Sequence, residues 1–289
     1  MLHRPSLRVP ASIRVGLHKE KATVDNAPQK PSRATHMNFA TRLLTALALA
    51  ALTAVSSAQL PGRGIEGAPG IGSSGAMLRF LGEHKAFMAD VNIGTKSQRG
   101  DTALLPGKLA FHDGQSRLEL DLTKIEAGRM PPAVMDAMKA AGMGELLMLT
   151  RPDKKLTYLV YPGMQAYAET PLRDEQTAEA VKALKLETTR VGEETLAGHP
   201  CVKNRVTVTD AQGKTQEATV WNATDLRNFP VAIETTDKGA QVTLFFSNVR
   251  FGPPPSTLFE LPRDLRKYAD TREMMREAMM KLLGGAAPK

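Results

Sequence analysis

The chain is poor in the residues that support most recognisable chemistries. Its one cysteine, Cys201, excludes a disulfide framework and a thiolate zinc site. One tryptophan and four tyrosines leave little for a base-stacking platform. Past residue 58 only His84, His112 and His199 remain, too dispersed for a metal-binding spacing. There is no Gly-x-Ser-x-Gly elbow and no glycine-rich loop set between a strand and a helix to cradle phosphate, so the sequence reads as non-enzymatic and needs no cofactor. Charge is uneven. The formal net charge of the 289 residues is +8, but residues 1–58 hold eight basic and two acidic side chains and so carry +6 of it. The other 231 residues carry only +2, which argues against nucleic-acid binding.

What is present begins with an address. From Met37 the chain has one positive charge at Arg42, a charge-free apolar run from Leu43 to Val55, then Ser56-Ser57-Ala58. As a helix those 13 residues span about 20 Å, short of a bilayer's apolar core of about 30 Å. The expectation is a cleavable signal peptide over 37–58, cut between Ala58 and Gln59, with periplasmic or secreted destination and no stable membrane span afterwards. Residues 1–36 precede it without sustained apolar periodicity and read as a mis-assigned or disordered upstream extension. Gln59 to Gly75 holds six glycines and two prolines in 17 residues, the composition of a flexible tether. The folded domain is expected over 76–289.

Within it the dominant pattern is period-two alternation broken by turn pairs. Ala86 to Ile93 alternates, and Lys108 to Leu122 reads as a hairpin turning at Asp113-Gly114. Leu118, Leu120 and Leu122 fall on one side; Arg117, Glu119 and Asp121 fall on the other, expected to be solvated. Leu146 to Arg151 and Leu156 to Tyr161 pair around Pro152 to Lys155. Further strands are expected over Val202 to Thr209, Thr215 to Trp221, Val231 to Glu234 and Gln241 to Arg250, turning at Asp210 to Gly213 and Asp237 to Gly239. Strands follow strands without crossover helices, so an antiparallel sheet is predicted and a doubly wound parallel fold is excluded. Three helices interrupt it: Pro131 to Met143, Thr170-Pro171 through about Leu184 with Thr170 as cap, and an amphipathic helix over 264–283 ended by Gly284-Gly285. The fold class is thus α+β, a curved antiparallel sheet with two inserted helices and a C-terminal amphipathic helix.

Four runs carry a resemblance: RPDKKLTYLVYPGMQAYAE (Arg151 to Glu169), GEETLAGHPCVKNRVTV (Gly192 to Val208), VWNATDLRNFPVAIE (Val220 to Glu234) and NVRFGPPPSTLFELPRDLRKY (Asn248 to Tyr268). Together they resemble an uncharacterised family of exported bacterial proteins that is itself similar to the periplasmic lipoprotein-carrier fold, the LolA/LolB type. The resemblance implies a curved antiparallel half-barrel, half open, whose concave face is covered by helices and takes an acyl chain or other apolar group. It carries over no functional residue.

Each remaining motif has a local reading. Glu193 to Pro200 is a structural turn, with Gly198 supplying positive φ and Pro200 stiffening the strand that follows. Glu193 and Glu194, if extended, point to opposite sides and cannot act as a pair. Cys201 reads as a small buried hydrophobe, with a reactive thiol as the alternative. Pro253, Pro254 and Pro255 form a stiff strap leading to Leu258-Phe259, where Phe259 and Leu261 plug the core; alternatively, the strap is a candidate for docking an envelope-protein partner. Twelve methionines follow the signal segment. Met135, Met138, Met143, Met275 and Met279 are candidate lining for an apolar ligand, a lipid or acylated protein, because unbranched thioethers repack around variable shapes. Plain core packing and Cu(I) binding are the competing readings of the same residues, the latter lacking closely spaced His or Cys.

Overall fold

The computed structural model describes residues 75–98, 100–127, 131–172, 177–237 and 239–282. The expected upstream extension, signal peptide and all of the tether but Gly75 lie outside the described residues, as do Met130 and Gly284-Gly285.

One sheet dominates. Its first half is a meander of β1 (Ala86–Lys96), β2 (Thr102–His112), β3 (Gln115–Asp121), β5 (Glu145–Arg151), β6 (Leu156–Tyr161) and β7 (Ala166–Pro171), with β4 (Glu126–Ala127) paired to β2. Its second half, β8 (Lys185–Leu196), β9 (His199–Thr209), β10 (Thr215–Ala223), β11 (Phe229–Asp237) and β12 (Ala240–Phe251), meanders back until β12 pairs with β1. The halves join in mid-sheet. Every pair is antiparallel except the last, where β13 (Arg266–Tyr268) adds in parallel beside β7.

The sheet is open, because β8 and β13 end it without meeting, yet it cannot be flat. From β7 to β8 there are ten inter-strand steps, about 48 Å if laid flat at roughly 4.8 Å each. Residues 172–184 must bridge that gap, and six of them are helical in α3 (Ala178–Ala183). Their greatest reach is about 38 Å at roughly 3.4 Å per extended and 1.5 Å per helical residue. The two edges must therefore curl toward each other. Register shifts at Met88/Asp90, Arg190/Gly192 and Trp221/Asn222 supply local bends of the kind that curvature requires.

Alternation decides what faces inward. In β1, Phe87, Ala89, Val91 and Ile93 are buried and the residues between them are not, as the sequence predicts. The same inner face carries Leu118 and Leu120 of β3, Val206 and Val208 of β9, Val220 of β10, and Leu244 and Phe246 of β12, all in one apolar cluster. Asp113 and Gly114 both have positive φ at the predicted β2–β3 turn. Ala197 and Gly198 do the same between β8 and β9, the mirror-image geometry that matches strand twist.

The helices depart from expectation. Thr170-Pro171 does not start one: Thr170 pairs with Thr157 and Pro171 with Leu156, so both close β7. Helix α3 begins later, with the Thr177 hydroxyl accepting from the Ala180 N–H at 3.2 Å. The C-terminal helix starts at Thr271, not Asp264. Asp270 caps it by accepting from the Glu273 N–H at 2.7 Å, while the Glu273 carboxylate accepts from the Ala269 N–H at 3.0 Å. The predicted helix over Pro131 to Met143 is present as α2 (Pro132–Ala140). An unpredicted short helix, α1 (Gly75–Phe80), leads into β1. The inner face is only partly helix-covered. The C-terminal helix, α4 (Thr271–Leu282), lies against β7, β13 and α2 at one end, and α1 meets α3 and β9 toward the other. In mid-sheet the rings of Phe87, Phe111, Phe229 and Phe246 fill the space themselves, with centroid separations of 5.0–5.7 Å.

The outer face is not uniformly wet. After β12 the chain passes Gly252 and the three prolines and crosses β3 and β5 through a 3-10 turn at Ser256–Phe259. Phe259 is 2% exposed, and Leu261 and Leu265 pack on a second cluster of Leu147, Leu149, Tyr158 and Val160. Two arginines hold this strap. Arg117 donates to the Leu258 carbonyl at 3.0 Å and to Glu119 at 2.6 Å. Arg151 donates to the Phe259 carbonyl at 2.7 Å while its fork grips both Asp153 oxygens at 2.9 and 2.7 Å. Arg117 and Glu119, read as a solvated face, are half covered because the strap needs donors beneath its carbonyls.

Candidate ligand-binding face

The end of the inner face between α2 and α4 concentrates the methionines. Pro132 opens α2 where a missing N–H costs nothing, and the chain turns out of the helix, past its C-cap Ala141, at Gly142, whose φ is +77°. Gly142 abuts Gly163 in the β6–β7 turn. A Cβ on Gly142 would meet the Gly163 backbone at 2.5 Å, so only a glycine pair permits this approach. That contact sets the segments bearing Met143 and Met164 side by side. Met148 projects inward from β5 between Leu118 of β3 and Leu159 of β6. Met274, fully buried, reaches the same cluster from α4.

The five sequence candidates are placed unequally. Met143 is buried, and Met138 and Met275 are half-buried against the main cluster. Met135 and Met279 are half-buried on helices α2 and α4, which touch each other. Sequence reading missed Met148 and Met164 as lining. Met148 had a usable signal, its inward parity with Leu146 and Thr150; Met164, in a turn, had none. Of the proline strap, Pro254 is buried while Pro253 and Pro255 are exposed.

The face is built of apolar side chains. The nearest polar network belongs to α4: the Tyr268 hydroxyl donates to Glu277 at 2.5 Å, and Arg266 reaches the same carboxylate at 3.2 Å. Burial, then the Glu277 carboxylate, pushes the Tyr268 phenol up to about 12. Burial alone does the same to Tyr161, also to about 12. Neither phenol ionises near neutral pH. Cys201 is 3% exposed, its thiol donates to the His199 carbonyl at 3.3 Å, and burial pushes its pKa up. That is the inert reading, not the reactive one.

Other surface features have different chemistry. On the outer face the Trp221 indole donates to Glu194, holding that carboxyl below its usual range, and Lys203 stacks over the indole at 4.9 Å. A shallow polar depression of about 160 Å³ lies across β9–β11, lined by Arg205, Glu217, Glu234 and threonines. Among the described residues no three His, Cys, Asp or Glu side chains converge as a metal site, and no helix is long and apolar enough to cross a membrane.

An open, mostly antiparallel sheet with a few helices on its apolar face and a C-terminal helix defines the architecture. Residues 108–231 match a domain of unknown function, DUF4412. Three of the four runs that carried the sequence resemblance lie wholly or mostly within that span. Comparison with curated proteins gives no match. Among solved structures the chain is similar to the lipoprotein LppX of Mycobacterium tuberculosis, at 11% identity over 61% of this chain and 93% of that one, TM-score 0.34. It is similar to LprF of Mycobacterium bovis at 14% identity, 65% and 93% coverage, TM-score 0.35. A LolA superfamily protein from Nitrosomonas europaea is similar at 11% identity, 65% and 98% coverage, TM-score 0.32. Likenesses of this extent assign no role to any residue.

Proposed function

We propose that the protein holds one apolar chain, a lipid tail or the acyl group of a lipidated protein, against the methionine-rich end of its inner face, without catalysing a reaction on it. The observation that carries this reading is the convergence of Met138, Met143, Met148, Met164, Met274 and Met275 from two helices, the loop after α2, a strand and a turn onto one apolar cluster. A face of Phe and Val would be rigid; thioethers with three rotatable bonds can repack around a guest at small cost. Met135 and Met279, at the helix margins, form the rim of the same site. The carrier acts in the periplasm as a single domain over 76–289, reached through a signal peptide cut before Gln59 and a tether over 59–75. Residues 1–36 take no part.

Native mass spectrometry of protein purified from the periplasm tests this. The reading expects co-purifying lipid and a mature N-terminus at Gln59. A ligand-free protein whose melting temperature does not rise with added lipid rejects it.

A second reading, an envelope protein-interaction module, is favoured by one observation. Edge strand β8 is exposed along almost all of its 12 residues, with Leu186 and Val191 at 40% and 45% exposure. An open edge of that length can accept a partner strand. The strap offers such a partner only Pro253 and Pro255, because Pro254 is buried.

A further inference from the structure

We infer that the C-terminal helix is fastened to the sheet by thioethers that oxygen-atom transfer releases, so that α4 is a methionine-oxidation site controlling its own docking. The inference rests on the anchoring of α4 and is independent of whether an apolar ligand binds.

From Thr271 to Met280 the helix reads TREMMREAMM. Met274 and Ala278 are fully buried, and Met275 packs half-buried against the main cluster. Met279 is half-buried beside them and Met280 is 37% exposed. Every large apolar side chain on this stretch is a thioether; none is Leu, Ile, Val or Phe. Elsewhere on the inner face the anchors are mostly hydrocarbon: α1 contributes Phe80 beside Met77, Leu81 follows it, and the strands contribute Val, Ile, Leu and Phe. Over 271–280 the large anchors of α4 are thus methionines.

The chemistry balances with a peroxide or hypochlorous acid as the two-electron oxidant. The sulfur gives up an electron pair and takes one oxygen atom; hydrogen peroxide leaves as water, and hypochlorous acid leaves as chloride and a proton. The product sulfoxide is polar and strongly hydrated, so a side chain that favoured the cluster now favours water. Access sets the order. Met280 reacts first, Met279 and Met275 follow at the margin, and Met274 is reached only after the helix lifts. Cys201 does not intercept the oxidant, being 3% exposed and held by a carbonyl. Of the polar contacts of α4, the Asp270 cap is internal to the helix, whereas the bonds from Tyr268 and Arg266 of β13 to Glu277 must part as the helix detaches.

The test is a hydrogen peroxide titration of the full chain, read by peptide mass spectrometry for sulfoxide and by amide hydrogen exchange. Sulfoxide is expected at Met280, then Met279 and Met275, with exchange across 271–282 accelerating about tenfold or more once Met275 is oxidised and the central strands unchanged. A Met274→Leu, Met275→Leu, Met279→Leu variant is expected to keep its protection at the same dose. The inference is overturned if α4 of the unsubstituted protein stays protected with Met275 and Met279 fully oxidised, or if Met274 oxidises as early as Met280.

Discussion

Replacing Gly142 with alanine strikes the joint that aligns α2 with the β6–β7 turn. Two costs arise. The residue sits at φ +77°, where a Cβ costs about 1–2 kcal/mol. The new Cβ would also lie 2.5 Å from the carbonyl carbon and oxygen of Gly163 and 2.7 Å from the Met164 nitrogen. All three are backbone atoms, so no side chain can swing aside. The helix end and the turn must part by about 1 Å, and overpacking of this kind costs about 1–3 kcal/mol. The expected total is about 2–5 kcal/mol, read from urea unfolding followed by circular dichroism. Gly198→Ala is the control: its φ is +89° but nothing lies within 4 Å of a Cβ there, so only the backbone cost of about 1–2 kcal/mol should appear. Equal losses in the two variants would refute the claim that glycine-to-glycine contact holds the methionine-bearing segments together.

Phe259→Ala should cost about 3–5 kcal/mol in the same assay, since the ring is 2% exposed and anchors the strap; a loss under about 1 kcal/mol would mean the strap is not docked. Ala197→Asn should raise stability by about 0.5–1 kcal/mol, because Ala197 holds φ +54° in the β8–β9 turn; a melting temperature that falls would contradict it. His84 lies against the rings of Phe229 and Phe251 at centroid distances of 5.1 and 5.4 Å, and burial lowers its pKa below 6.5. Its folded state resists protonation more than the unfolded chain does. Its contribution is therefore complete above pH 6.5 and drains away as pH falls through the lowered value. Comparison of His84→Phe with the parent between pH 7.5 and 5, about one unit either side of the histidine range, should show a shallower decline in the variant.

Alternation and turn chemistry were enough to read the β2–β3 and β9–β10 hairpins, because β3, β9 and β10 alternate buried with more exposed residues, whereas β5–β6, buried on both faces, was legible from its turn and apolar runs. The same logic failed at β8, KLETTRVGEETL, which is exposed on both faces and so carries no alternation. At Thr170-Pro171 a helix-start pattern lost to strand pairing with β6. At the C-terminus the apolar spacing of Leu265 and Tyr268 suggested one long helix, but the true start signal was Asp270 to Glu273, three residues apart. Leu265 and Tyr268 face opposite sides of the sheet, in the outer and inner clusters. The strap's path was half legible: its prolines and Phe259 were read, whereas its clamp, Arg117 and Arg151 under distant carbonyls, depends on contacts more than 100 residues apart. Methionine content pointed to the candidate face, but only strand parity and the Gly142–Gly163 contact bring Met148 and Met164 into it.

The central claim, an apolar-chain site at the methionine-rich end, is tested most directly by titrating delipidated mature protein with a fluorescent long-chain fatty acid. Saturable one-to-one binding is predicted, weakened about tenfold or more by Met138→Glu, which sets a charge against the cluster, and unchanged by Met88→Glu on the outer face of β1. Non-saturable uptake, or equal affinity in both variants, would contradict it.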